Sequence, residues 1–245
     1  MAAKKKEIKW HQAFATAEPY IVKIITPQGT GTGFLIASTD KQELHGIATA
    51  AHVVDFAHYW EQPIRIQHAS SGEVILVKND DRSIEIESNR DAATIIIKGV
   101  LPFPKSPLTL IPEDKRLKIG VEIGWMGFPA MAPENLCFFS GRISSWVEDA
   151  GFYFVDGVAI NGVSGGPAFS IKEERIQLIG LVSAYVPNRA TGTVLPGLCV
   201  VRDVLPLHET IKNLKSFEEA KSKEKSPESP PPAPPSPVSG EQTKV

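Results

Sequence analysis

From about residue 19 to residue 201 the chain is cut into short runs rich in valine, isoleucine, threonine and aromatic residues. Each run is closed within a few positions by glycine, proline, asparagine, aspartate or serine. The runs fall at 19–26, 33–37, 46–50, 64–67, 73–78, 84–87 and 93–97, then at 121–126, 136–145, 152–155, 167–171, 176–186 and 197–201. Turns this frequent leave no room for the crossover helices that parallel strands need, so the pattern predicts an all-β, antiparallel architecture. Leu101-Pro102-Phe103-Pro104-Lys105-Ser106-Pro107 carries too many prolines for a central strand and divides the runs into two sets. With 245 residues and 42% hydrophobic content, two small barrels sharing an interface can bury a sizeable core.

The ends differ from the middle. Residues 1–18 read as an N-terminal extension. Beyond the last run, Val204, Leu207, Ile211 and Leu214 recur at helical spacing, which predicts an amphipathic helix over 203–215, capped by Asp203 and packed against the second barrel. Residues 216–245 alternate lysine and glutamate and then turn proline-rich, from Ser226 to Pro237. Such a composition predicts a disordered tail, a solvated spacer or a docking segment for a proline-binding module.

Several functions are excluded or disfavoured by the same residues. A net charge of −2 supplies no basic field for nucleic acid, and no apolar run reaches the roughly 18 residues of a membrane span. The lysines near Met1 are followed by no apolar segment, which points to a cytoplasmic protein without a secretory signal. Cys137 and Cys199 each lie in an apolar run and read as two buried free thiols. The cysteines and histidines show no ligand spacing, so no metal or other cofactor is expected. Oligomeric state is not legible.

Asn161-Gly162-Val163-Ser164-Gly165-Gly166-Pro167 is poor helix and poor strand, so the backbone must bend sharply there. Such a bend can present the Ser164 hydroxyl and aim the N–H groups of Gly162 and Ser164 at one point, as an oxyanion hole requires; a plain surface turn is the alternative. A serine hydroxyl needs a base, and the base needs an orienting group. His52, in Thr49-Ala50-Ala51-His52, ends a buried run, whereas His11, His45, His58, His68 and His208 read as surface or loop residues. Asp91 opens the run 93–97; its rivals Asp80 and Asp81 sit in an exposed turn, and Arg90 reads as a solvated charge.

With these pieces in the order His, Asp, Ser, the chain resembles the trypsin-like (chymotrypsin-fold) serine peptidases, and within them the bacterial HtrA/Deg branch without a PDZ domain. The likeness rests on Gly31-Thr32-Gly33-Phe34-Leu35-Ile36, the Thr-Ala-Ala-His block, the Asp91 run, Gly162 to Pro167 and Gly180-Leu181-Val182-Ser183-Ala184-Tyr185, and covers about residues 19–215. It implies two six-stranded antiparallel β-barrels, at about 19–100 and 108–202, with a C-terminal helix and the active cleft between them. It also implies a serine endopeptidase acting on protein or peptide substrates, with Ser164 as nucleophile, His52 as general base and Asp91 orienting the imidazole. By the same resemblance Val158, Ala159 and Ile160 on one side and Ser183, Ala184 and Tyr185 on the other wall the specificity pocket. None is acidic, which predicts cleavage after small or medium aliphatic residues. Val163 departs from the family, which carries Asp or Asn there, and leaves open what holds the oxyanion loop. A silent peptide-binding protein on the same fold is the alternative function; an esterase or a Cys-His nucleophile fits less well.

Overall fold

Ile64, Ile66 and His68 alternate with Arg65 and Gln67, and a strand with that pattern turns one face inward and the other to solvent. The computed structural model, which describes residues 8–39, 41, 43–173, 175–187 and 194–224, shows this burial along the strand. The elements in order are α1 (Trp10–Ala17), β1 (Ile21–Thr26), β2 (Gly29–Ser38), β3 (Leu44–Thr49), α2 (Ala51–Tyr59), β4 (Ile64–His68), β5 (Val74–Val77), β6 (Arg82–Glu87) and β7 (Ala92–Lys98) in the first half. The second half holds β8 (Glu122–Gly127), β9 (Cys137–Val147), β10 (Phe152–Asp156), β11 (Pro167–Lys172), β12 (Arg175–Pro187), β13 (Val194–Arg202) and α3 (Leu205–Glu224).

The strands form two antiparallel sheets, as the spacing of the runs requires. The second is a closed six-stranded barrel in the order β10-β13-β12-β11-β8-β9. The first is a curled sheet of seven strands, β5-β4-β1-β2-β3-β7-β6, rather than a ring of six. Its edges β5 and β6 share no ladder among the described residues; a 3-10 turn at Asn79–Asp81 joins them, and the Arg82 guanidinium reaches the Val77 carbonyl at 3.0 Å. Each sheet encloses apolar side chains: Val22, Ile24, Leu35, Ile47, Ile64 and Ile95 in the first, Trp125, Tyr153, Phe169 and Leu181 in the second.

Three features lie outside what residue patterns predicted. Within the N-terminal extension, residues 10–17 form a helix whose Ala13 and Ala17 are fully buried, and Trp10 packs on Phe138 and Phe169 of the second barrel. The C-terminal helix is capped by Asp203, whose Oδ1 accepts the Leu205 N–H at 3.2 Å, but it continues past Lys215 to Glu224. It packs across β2, β3 and β7 of the first sheet, while Val204 and Leu207 join the core cluster that includes the second barrel: Leu214 seats over Gly46, and Thr210 meets Thr94 at 3.2 Å. Small residues at Ala37, Gly46 and Thr94 leave the shallow channel that accepts it. The proline-rich segment 226–237 lies outside the described residues. No helix among the described residues is long and apolar enough to cross a membrane.

Candidate active site

The histidine is placed by a helix that residue patterning did not predict. The chain leaves β3 at Thr49 and turns at Ala50 directly into α2, so His52 stands on the first turn. The first amides of a helix have no partner within it. Here the His52 N–H is satisfied by Asp91 Oδ1 at 3.1 Å, a cap supplied from the turn before β7 because Ala50 has no side-chain acceptor. The same carboxylate meets His52 Nδ1 at 2.9 Å through Oδ2 and at 3.0 Å through Oδ1. Asp91 achieves both by adopting the left-handed region, φ 46° and ψ 45°, at the end of the 3-10 turn Ser88–Arg90. Asp is among the few residues that tolerate it.

Ser183 supplies a third contact that was missed. The register between β12 and β13 shifts between Val182 and Ala184, and a bulge of this kind re-aims the intervening side chain. The Ser183 hydroxyl, buried, donates to Asp91 Oδ2 instead of lining a substrate pocket. Burial alone would raise the Asp91 carboxyl; the hydrogen bonds from His52 and Ser183 outweigh it and hold the group below the ordinary carboxylate range. The hydrogen bond to Asp91 holds the His52 imidazole above the ordinary histidine range, against the opposite effect of burial, with the charges of Asp91 and Asp55 adding to it.

Arg90 is not a free solvated charge. It pairs with Glu87 at 3.1 Å and faces the buried Asp203 at 3.8 Å, which ties the turn before Asp91 to the start of α3. His45 and His68, expected at the surface, are buried on β3 and β4, where both flank Phe103 edge-on at 5.2 Å and find hydroxyl partners in Ser38 and Ser71. Cys137 and Cys199 are unbridged; Cys137 is half-buried, whereas Cys199 is fully buried and its thiol is pushed up to about 12.

The bend at Gly162 to Gly166 is held from the first sheet. Thr32 donates from Oγ1 to the Gly162 carbonyl at 2.7 Å and from its N–H to the Ser164 carbonyl at 2.9 Å. Thr49 in turn fixes the Thr32 carbonyl at 2.8 Å. Gly162 and Gly165 have φ of 93° and 84°, and a Cβ at either would lie 2.2 Å from a backbone oxygen, Phe128 O or Thr32 O. Only glycine fits both places. Val163, the departure noted above, is fully buried in the core of the second barrel against Gly127. An apolar plug thus holds the loop.

Two amides are left over. The Asn161 carbonyl accepts from Ala130 N at 2.7 Å and the Val163 carbonyl from Gly166 N at 2.9 Å. In a trans peptide the N–H points opposite to the C=O, so the amides of Gly162 and Ser164 face the other way. Among the described residues neither has an acceptor. Both residues line a cleft of about 400 Å3 together with His52, Val53, Ala130 and Asn161. The Ser164 hydroxyl itself donates to the Ser183 carbonyl at 3.2 Å and makes no hydrogen bond with His52.

Of the expected specificity residues, Val158 is 46% exposed, while Ala159 and Ile160 pack partly against the core. They do not line that cleft. Ala184 and Tyr185 are on β12, and their side chains lie outside the described residues, as do residues 188–193. Among the described residues no group of three His, Cys, Asp or Glu side chains is placed to hold a metal ion.

Comparison with known proteins gives the same outline. The model of the trypsin-like peptidase domain family matches residues 31–181. No curated protein matches the sequence. Among solved structures, the serine endoprotease from Yersinia pestis superposes with a TM-score of 0.62 at 18% identity, over 85% of this chain and 67% of that one. The Rv3671c protease from M. tuberculosis, in its active form, gives 0.58 at 21% identity, over 81% and 83%. Its inactive form gives 0.58 at 20% identity, over 82% and 91%. At these identities the likeness is one of fold.

Proposed function

The chain belongs to the trypsin-like peptidase domain family and is a serine endopeptidase, and we propose that it cleaves protein substrates through an acyl-enzyme formed on Ser164. The observation that carries this reading is a single cleft in which an Asp91-oriented imidazole, a serine hydroxyl and two acceptor-free amides meet. In the reaction the Ser164 hydroxyl leaves the Ser183 carbonyl and turns to His52 Nε2, which takes its proton as Oγ attacks the scissile carbonyl. The amides of Gly162 and Ser164 receive the oxyanion, each donor contributing about 3 kcal/mol in comparable sites. His52 then protonates the departing amine, and water repeats the sequence to free the enzyme. Unbound enzymes commonly hold the nucleophile off the base until substrate arrives.

A fluorophosphonate probe tests the nucleophile directly. Labelling is expected at Ser164 alone, located by peptide mass mapping, and lost on phosphonylation-blocking substitution to alanine. Absence of labelling under every condition would leave a peptide-binding cleft without turnover. The unbridged cysteines fit an HtrA-like peptidase of a reducing compartment such as the cytoplasm.

Specificity belongs to Val158, Ala159 and Ile160 with the backbone of Ser183, Ala184 and Tyr185 as a strand to which substrate adds. With no carboxylate there, digestion of a peptide library is expected to place cuts after small or medium aliphatic residues. Cuts clustered after lysine or arginine would rule this pocket out.

A further inference from the structure

The side of α2 that starts with His52 continues as Phe56, Tyr59 and Trp60, at steps of four, seven and eight residues, which stacks them along one face. No step of the proposed reaction uses these rings. All three are open to solvent, at 37%, 77% and 57% exposure, while Ala51, Val54 and Ala57 bury the opposite face. Phe56 and Tyr59 each touch Trp60, with ring centroids 6.1 and 5.2 Å apart. A contiguous aromatic patch of this kind marks an interaction surface.

The patch is held rigidly. Gln62 N closes the helix end on the Ala57 carbonyl at 2.8 Å, and Glu61 takes the left-handed φ of 54° usually left to glycine. Arg82, arriving from β6, binds the carbonyls of Ala57 at 3.0 Å and Gln62 at 2.6 Å, and the Gln62 side chain donates to the Trp60 carbonyl at 3.2 Å. Backbone strain kept in place by a guanidinium from another strand fixes where Trp60 stands.

The direction of the chemistry identifies the occupant. His52 delivers its proton to the leaving amine, so the departing half of the substrate lies on the His52 side of Ser164. The cleft on that side is walled by Val53, also on α2, and by Ala130 and Asn161. Polypeptide emerging from it runs onto α2. From His52 to Trp60 the helix advances about 12 Å, which an extended chain covers in about four residues.

We propose that Phe56, Tyr59 and Trp60 form an accessory substrate-binding platform that takes an aromatic or large aliphatic side chain of the leaving segment, about four residues beyond the cleft. Asp55 and Glu61, both exposed at its margins, disfavour acidic segments. The assignment rests on the peptidase reading above, and its test separates the two.

Two internally quenched peptides share one acyl half and scissile bond; one stops shortly after the bond, the other continues past the platform with a phenylalanine at about the fourth position. The longer peptide is expected to show a kcat/KM roughly tenfold higher, and the Tyr59→Ala/Trp60→Ala double variant to lose that advantage while cleaving the short peptide normally. An advantage of equal size in the variant overturns the platform. A second arm titrates the leaving-half peptide into the full-length Ser164→Ala chain by fluorescence anisotropy, with and without the two aromatic substitutions. Weaker binding in the substituted chain supports the platform and unchanged binding overturns it, whether or not any peptide is cut. Failure of the peptidase reading would appear separately, as an intact short peptide. A synthetic peptide of residues 226–237 that displaces the leaving half from these rings overturns the assignment in favour of the chain's own tail.

Discussion

Ser164→Ala is expected to lower kcat by about 10⁶-fold on any peptide substrate, while substrate affinity and thermal stability stay close to those of the parent chain. The size follows from the proposed role of Ser164, whose hydroxyl would form the acyl bond in the cleft. What remains is the pair of amides at Gly162 and residue 164 and the binding surface, which together leave a residual acceleration over water of about 10³ to 10⁴. Stability is spared because the loop does not depend on the hydroxyl. Thr32 grips the carbonyls of Gly162 and Ser164, Val163 is plugged into the barrel core, and Gly165 N binds the Val182 carbonyl at 2.7 Å. The hydroxyl contributes one partly exposed hydrogen bond, worth about 1 kcal/mol. Paired measurements of steady-state cleavage and thermal unfolding check both halves of the statement. A variant that keeps more than about a tenth of the parent rate would remove Ser164 from the chemistry.

The strand positions and the place of the bend at Gly162 to Gly166 were legible because each follows from local chemistry: alternation of β-branched residues, turn residues between them, and glycines where no side chain fits. The strand run that Asp91 opens was legible for the same reason, whereas the 3-10 turn that ends at Asp91 was not. What escaped were features set by partners far away in sequence. The first turn of α2, with Val53 and Val54 in it, has no local helix signal and is capped by a carboxylate from the distant turn before β7. Ser183 looked like a pocket wall because the bulge that turns it inward exists only once β12 pairs with β13. The periodicity of α3 showed which residues it buries, but which sheet it crosses depended on the small residues at Ala37, Gly46 and Thr94. His45 and His68 read as polar and therefore external, yet Ser38, Ser71 and the edges of Phe103 satisfy them inside. Val163 left open what holds the loop, and the answer came only with the structure: it is buried in the core of the second barrel.

Asp91→Asn is expected to lower kcat/KM by about 10⁴-fold and to move the acid limb of the pH profile downward. Asparagine suits the test because it tolerates the left-handed backbone that Asp91 adopts, so the turn and the cap on the His52 N–H survive the change. What is lost is the charge and the choice of tautomer: an amide nitrogen facing Nδ1 leaves the imidazole holding its proton on the nitrogen that should receive one from Ser164. The pH shift has a definite sign. In the parent chain the hydrogen bond to Asp91 raises the imidazole above its ordinary pKa of about 6.5, so the neutral form needed as base is lost as pH falls through that raised value. In the variant that hydrogen bond and the Asp91 charge are gone while burial, which favours the neutral ring, remains, and the loss of activity occurs at lower pH. Between the two values the variant therefore carries more neutral His52 than the parent and is still far slower, which separates orientation of the base from its mere deprotonation. Profiles of kcat/KM against pH, with the His52 ring titrated by NMR in both chains, measure the two effects independently. An unmoved acid limb would mean that the carboxylate 2.9 Å from Nδ1 does not raise the imidazole, and a loss of less than about tenfold that it does not orient the base.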